Sequence, residues 1–185
     1  EEPISTVALK LDELSRTPSV THVFLPLGAL NVGLATVDEL RRGIHGLRRA
    51  GKLVTVYLND GSDKSYMVAA AADKILMDPL ITLRLDGFAI TAQYYAGLLS
   101  KFGVRFDAVA IGKYKTGPDP LTRTGSRPED REVRNELLDQ AYAALLGALE
   151  NDRKLSRDKL AAIVARGHLS ASEALESGLI DGVTA

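Results

Sequence analysis

Val20-Thr-His-Val-Phe-Leu-Pro-Leu27, then Thr36-Val-Asp-Glu39 with Val37, Leu40, Ile44 and Leu47 behind it, then Gly51, then Lys52-Leu-Val-Thr-Val-Tyr-Leu58: this stretch decides the fold. The first and last segments are short, apolar and rich in β-branched residues, as buried strands are. Pro26 places the end of the first strand close by, because proline cannot donate to a sheet ladder. Between them, Thr36 and Glu39 have the spacing of a capping box, the apolar residues recur at helical intervals, and Gly51 is a stop. Strand, capped helix and strand in that order predict a parallel βαβ unit.

Working outward, residues 5–16 read as a helix with Val7, Leu11 and Leu14 on one stripe, ended by Thr17-Pro18. On the other side, Asn59 to Asp63 is a turn, Ser65 to Ala72 an Ala-rich helix and Lys74 to Met77 a strand. Short extended pieces follow over 80–90. A helix is expected over Thr91–Phe102 with Tyr94, Tyr95, Leu98 and Leu99 mostly inward, then a buried strand from Val104 to Ile111. Pro128 opens a long helix to about Arg153, on which Val133, Leu137, Ala141, Leu145 and Leu149 mark one core face. Ser156 to Arg166 is a further helix stopped by Gly167. Ser170-Ala-Ser-Glu173 is a second capping box, and Leu179-Ile-Asp181 a last strand. The alternation predicts an α/β fold with a mainly parallel sheet. We expect one structural domain: an α/β core over 1–125 and a helical extension over 126–185 suited to assembly.

Composition removes several functions. The chain has 185 residues, a net charge of −1, 45% apolar residues and no cysteine. Balanced charge gives no nucleic-acid footprint, and the absence of thiols removes disulfides, thiol catalysis and zinc-thiolate sites. Arg41, Arg42, Arg48 and Arg49 are flanked by acidic residues and read as a solvated face. No apolar run is long enough to span a bilayer. The start at Glu1-Glu-Pro, without Met, reads as a processed product or a piece of something longer.

Gly112-Lys113 is not a phosphate loop: Asp107 stands where the first Gly is required and Tyr114 where Ser or Thr is. Asn59 to Asp63 lacks the distal Glu of a calcium loop. His22, His45 and His168 are scattered, so neither a metal nor a cofactor is expected. There is no Gly-x-Ser-x-Gly elbow. What remains is Gly112-Lys-Tyr-Lys-Thr-Gly-Pro-Asp-Pro120, where Lys115 sits on a Gly/Pro-stiffened turn after an apolar run. A serine peptidase can use a lysine as base, provided that burial or a neighbouring cation discharges the amine.

Nearly the whole chain resembles the signal peptide peptidase A (protease IV) family of Ser/Lys-dyad peptidases, in the Clp-protease/crotonase fold group. The resemblance rests on Asp73-Lys-Ile-Leu-Met-Asp-Pro79, Gly87-Phe-Ala-Ile-Thr-Ala-Gln-Tyr-Tyr95, Leu98-Leu-Ser-Lys-Phe-Gly-Val104 and Gly112-Lys-Tyr-Lys-Thr116. The tail adds Ala165-Arg-Gly-His-Leu-Ser-Ala-Ser-Glu-Ala174 and Gly178-Leu-Ile-Asp181. It implies repeated ββα/βαβ units with a carboxy-terminal helical extension. It also implies Lys115 as general base, cleaved signal peptides as substrates, and a bacterial inner-membrane, extracytoplasmic setting with any anchor outside this chain.

This sequence departs from the family at the nucleophile. Aligned on Tyr66, the family's Ala-Ser-Gly-Gly-Tyr becomes Ser62-Asp-Lys-Ser-Tyr66, with Asp63 at the serine position and Ser62 and Ser65 beside it. Capping or turn roles are expected for both serines. The family's oxyanion-hole Gly-Gly pair is replaced by Leu30-Asn-Val-Gly33. The resemblance therefore implies the lysine-bearing copy of a tandem enzyme, not a peptidase by itself, with the serine supplied by a homologous domain or subunit in a homo-oligomer. Two readings compete: an inert structural domain that builds the oligomer, and a crotonase-like acyl-CoA enzyme.

Overall fold

The computed structural model describes residues 4–184, with side chains from Thr6 onward. By contact the chain falls into two units, 1–87 with 144–185, and 88–143. The elements of the first are α1 (Ile4–Arg16), β1 (His22–Leu27), α2 (Leu34–Arg49), β2 (Leu53–Leu58), α3 (Asp63–Ala70), β3 (Lys74–Met77) and β4 (Leu83–Leu85). Its second segment carries α7 (Arg157–Arg166), β5 (Gly167–Leu169), α8 (Ala171–Glu176) and β6 (Gly182–Val183). The second unit holds α4 (Ala96–Lys101) and α5 (Asp119–Thr122), and α6 (Pro128–Arg153) begins there and ends in the first.

The βαβ reading holds. β1, β2, β3 and β6 form a parallel sheet in that order, with His22 to Leu27 in register with Leu53 to Leu58. Pro26 does not end β1: it lies opposite Tyr57. β1 is the edge strand, where a missing N–H is tolerated. The α2 start is earlier than expected, with Gly33 as N-cap and no side-chain cap, so the Thr36–Glu39 box is not formed. The carbonyl of Gly33 already accepts from Thr36 and Val37, which leaves Thr36 inside the first turn. Gly51, with φ of +77°, ends this helix as expected.

The core lies between sheet and helices. Val37, Leu40, Ile44 and Leu47 of α2 and Val54, Val56 and Leu58 of β2 are buried, as are Ala69 to Ala72. Gly43 lets α1 approach, since a Cβ there would stand 2.8 Å from Leu11 Cδ1. Arg41 ion-pairs with Asp152 at 2.7 Å, and His45 stands 3.3 Å from the same carboxylate. Tyr66 is fully buried and donates to the Leu179 carbonyl at 2.6 Å. Asp181 accepts from the Ile75 amide at 2.8 Å and from Arg153, which fixes the chain entering β6. β4 and β5 form a separate antiparallel pair that sequence reading did not separate out. The second capping box is complete: Ser170 accepts from Glu173 N, and Glu173 accepts from Ser170 N.

The last expected strand, Leu179–Asp181, forms instead at Gly182–Val183, and three further expectations, which touch the second unit, also fail. No strand forms over Val104–Ile111, where Val109 is 95% and Ile111 87% exposed. A β-prone run becomes a strand only where a neighbour takes its backbone groups. Among the described residues, no backbone group of 105–111 bonds to another backbone group. The helix expected over Thr91–Phe102 shortens to α4, which buries none of its residues; Tyr95 and Leu98 are exposed. On α6 the core face is real only near its end: Leu145 and Leu149 are fully buried, whereas Val133 and Leu137 are exposed.

Candidate active site

In the second unit the lysine turn is fixed from behind. Gly112 takes a φ of +112°, a left-handed value that favours glycine, and its carbonyl accepts from Lys115 N. Thr116 then accepts from Asp119 N at 3.0 Å, which brings the chain into α5. Asp119 is buried and accepts from Arg127 Nε at 2.7 Å, with Arg123 Nε 3.6 Å from its other oxygen. The same Arg127 donates through Nη2 to the Lys115 carbonyl at 3.1 Å. One buried carboxylate thus aims one guanidinium at the backbone of the candidate base. Sequence reading missed Asp119 and Arg127, because eight residues of loop and short helix separate them.

The two lysines of the turn differ. Lys113 Nζ lies 5.0 Å from the Tyr114 ring centroid and 3.9 Å from Glu132. Its hydrogen bond to Tyr114, with Glu132 adding, raises its pKa above the ordinary lysine value, so this amine keeps its proton. The Lys115 amine has no hydrogen bond or ion pair among the described residues, is exposed, and lines a cavity of about 350 Å³ with Phe106, Ala108, Asp119 and Arg127. Of the two, only the Lys115 amine is without a partner among the described residues. The expected burial at a strand end is absent.

Asp63, the position where a serine was expected from the resemblance, lies in the first unit with Ser62 and Ser65. Asp60 Oδ2 accepts from Ser62 N at 3.1 Å, from Ser62 Oγ, and from Ser65 Oγ at 2.8 Å. Ser65, fully buried, also reaches the Gly28 carbonyl at 3.1 Å. Burial pushes the Asp60 carboxyl up, but the hydrogen bonds from Ser62 and Ser65 outweigh it and hold the group below the usual range. Both hydroxyls are committed to a weakly basic carboxylate, and neither bonds to a lysine or histidine among the described residues. They tie the β2–α3 turn together, so the turn role holds and the capping one does not: Ser62 stands at the N-cap position of α3 without a side-chain cap hydrogen bond. Gly61 makes that turn possible, since a Cβ there would fall 2.1 Å from the Thr82 carbonyl oxygen.

Asp63, one residue into α3, is 7% exposed. Burial pushes its carboxyl up to about 7; the Gly87 amide, 3.3 Å away, pulls it down, and Asp86 pushes it up again by charge and by a hydrogen bond. A carboxyl thus stands at the position where the resemblance led us to expect a serine. Nearby, the loop after β1 rims an apolar cavity of about 680 Å³ lined by Leu11, Leu25, Leu30, Val32, Leu40 and Ile44. Lys64 Nζ bonds to the Val32 carbonyl at 2.7 Å, which pins the Leu30–Gly33 segment to α3. His22 Nε2 lies 2.9 Å from Thr55 Oγ1.

A family model described as peptidase family S49 matches residues 46–185. The chain belongs to that family. The S49 chain is 26% identical over 166 residues to the chloroplastic serine protease SPPA of Arabidopsis thaliana, covering 90% of this chain and 24% of the relative. It is 28% identical over 178 residues to a putative protease of Methanocaldococcus jannaschii, with 94% and 55% covered. To Protease 4 of Salmonella typhi it is 28% identical over 119 residues, with 64% and 19% covered. The resemblance to the signal peptide peptidase A family therefore holds, and the chain spans between about a fifth and about half of these relatives. In structure it is similar to a membrane-bound stomatin-specific protease, with a TM-score of 0.57 and 13% identity over 97% of this chain and 73% of that one. A probable enoyl-CoA hydratase/isomerase from Mycobacterium abscessus gives 0.52 and 16% over 98% and 59%. At these identities the likeness establishes the Clp-protease/crotonase-like fold and nothing of substrate. Among the described residues no helix is long and apolar enough to cross a membrane.

Proposed function

We propose that this S49 chain is the lysine-bearing half of a Ser/Lys-dyad peptidase, with Lys115 as general base for a serine carried by another domain or subunit. The observation that carries the reading is the contrast between the two positions the dyad needs. Among the described residues the Lys115 amine has no hydrogen bond or ion pair, and its turn is stapled by Asp119 and Arg127. The serine position is filled by buried Asp63, whose flanking hydroxyls are already committed. In the reaction, the uncharged amine takes the proton of the foreign serine as its oxygen attacks the peptide carbonyl; the amine product leaves with that proton, and water resolves the acyl-enzyme. Cleaved signal peptides are the proposed substrates, and the apolar cavity beside the β1–α2 loop suits their side chains. A membrane-associated, extracytoplasmic setting, an anchor outside this chain, a homo-oligomer and an assembly role for 126–185 belong to the same proposal.

The test is hydrolysis of a peptide ester by the full-length parent carrying Lys115→Ala. Activity should fall by about the hundredfold to ten-thousandfold that one general base contributes; wild-type activity would overturn the assignment. A second reading, an inert domain that only builds the assembly, is favoured by the exposure of Lys115 in this chain. A downstream copy containing Ala-Ser-Gly-Gly-Tyr in the parent gene favours the peptidase, and its absence favours the inert domain.

A further inference from the structure

Within the second unit, the cavity of about 350 Å³ gathers three basic side chains, Lys115, Arg123 and Arg127, and two carboxylates, Asp107 and Asp119. Its donors outnumber its acceptors. Asp119 is already committed: one oxygen accepts from Arg127 Nε at 2.7 Å, and the other lies 3.6 Å from Arg123 Nε. Arg127 gives one further bond, through Nη2, to the Lys115 carbonyl. A guanidinium carries five N–H donors, so most of those of Arg127 remain unused, and its side chain is largely buried and held in place. Among the described residues the Arg123 guanidinium makes no hydrogen bond, and neither does the Lys115 amine. Asp107 is exposed at the rim, and its carboxylate has no partner among the described residues. With every group ionised, three cations against two carboxylates leave one positive charge in surplus.

We propose that this cavity binds the C-terminal carboxylate of a peptide, held by Arg123, Arg127 and Lys115. A single surplus charge suits a monoanion, whereas a phosphate dianion would face Asp107 and Asp119 with a second negative charge uncompensated. A carboxylate is also planar and takes two parallel bonds from a guanidinium, which is the fork that arginine offers. Phe106 on the cavity wall gives the last side chain of the peptide an apolar surface. Asp107 opposes the anion and limits its affinity. Binding rests on the cavity alone; its place in the reaction rests on the peptidase reading. There, water splits the acyl-enzyme ester into the serine hydroxyl and a peptide carboxylate, and the Lys115 amine takes the released proton. The last step thus leaves an ammonium beside a carboxylate, and the two arginines hold the acyl-side product back.

Calorimetric titration of the 185-residue chain with a short N-acetylated alanine–leucine peptide, as the free acid and as the C-terminal amide, tests this. The acid should bind about tenfold or more tighter than the amide, the equivalent of one charge-assisted hydrogen bond. Arg123→Gln and Lys115→Gln, both at exposed side chains, should each weaken the acid about fivefold or more and leave the amide unchanged. Asp107→Asn should tighten it. An amide peptide with a glutamate next to its end separates a terminal from a side-chain carboxylate, and should bind like the plain amide. Equal binding of acid and amide, no binding of the acid, a glutamate amide as tight as the acid, or acid binding that survives both Gln variants overturns the site, as does weakening by Asp107→Asn. Ester hydrolysis by the full-length parent with Lys115→Ala judges the peptidase reading separately, since wild-type activity there leaves the acid–amide difference standing.

Discussion

Replacing Asp119 with Ala strikes the joint that holds the lysine turn. Asp119 is buried and the Arg127 side chain is 19% exposed, so the mutation leaves a largely desolvated guanidinium without its carboxylate. Hydrogen bonds to charged groups contribute about 1.5–3 kcal/mol, and breaking a fully buried pair costs about 3–5 kcal/mol. Partial access of water to Arg127 moves the expectation towards the lower figure, about 2–3 kcal/mol. Arg127 is then also free to drop its bond to the Lys115 carbonyl. The assay is a double-mutant cycle with Arg127→Met, read by urea unfolding of the chain. Because the two side chains act on each other, the double variant should lose less than the sum of the singles, with a coupling of about 1.5–3 kcal/mol. Additivity to within about 0.5 kcal/mol would refute the joint, and with it the claim that Asp119 positions the turn through Arg127.

Two further substitutions separate burial from pattern. Leu145→Ala should destabilise by about 2–5 kcal/mol, while Leu137→Ala, two turns earlier on the same stripe, should stay within about 0.5 kcal/mol; Leu145 is fully buried and Leu137 53% exposed. Equal effects in thermal melts would mean the exposed half of α6 is covered in solution. Tyr66→Phe removes the hydroxyl that satisfies the buried Leu179 carbonyl, and should cost about 1–3 kcal/mol in urea unfolding, with no effect being evidence that the carbonyl finds another donor.

How much was legible follows from where each residue finds its partners. The βαβ unit was readable because its signals are local: apolar runs, a helical stripe and a glycine stop all act within one element and agree. The Ser170–Glu173 box was readable for the same reason. At α2 the local signal misled, because Gly33 offered an earlier start. β4 and β5 pair across more than 80 residues of chain, with Leu83 opposite Leu169, and nothing in three-residue segments announces such a partner. At the site, the lysine was legible as a motif, whereas the Asp119–Arg127 pair exists only once the loop after α5 folds back onto it.

The failed strand and the exposed lysine have one physical root. A β-prone run with no neighbour leaves its backbone to water, and a lysine after such a run is left with it. General-base work near neutral pH asks a lysine to lose about three pKa units from its free value of about 10.4, and burial or a nearby cation is what does that. Arg123 and Arg127 already line the Lys115 cavity, but both answer to Asp119, which cancels much of their field. On the proposed reading, burial then comes from a surface laid over Val104–Ile111, and the same contact would take up the backbone groups of 105–111 and cover Val109 and Ile111. On the proposed reading, catalysis and assembly are one event: the partner that brings the serine also brings the desolvation that makes the amine a base.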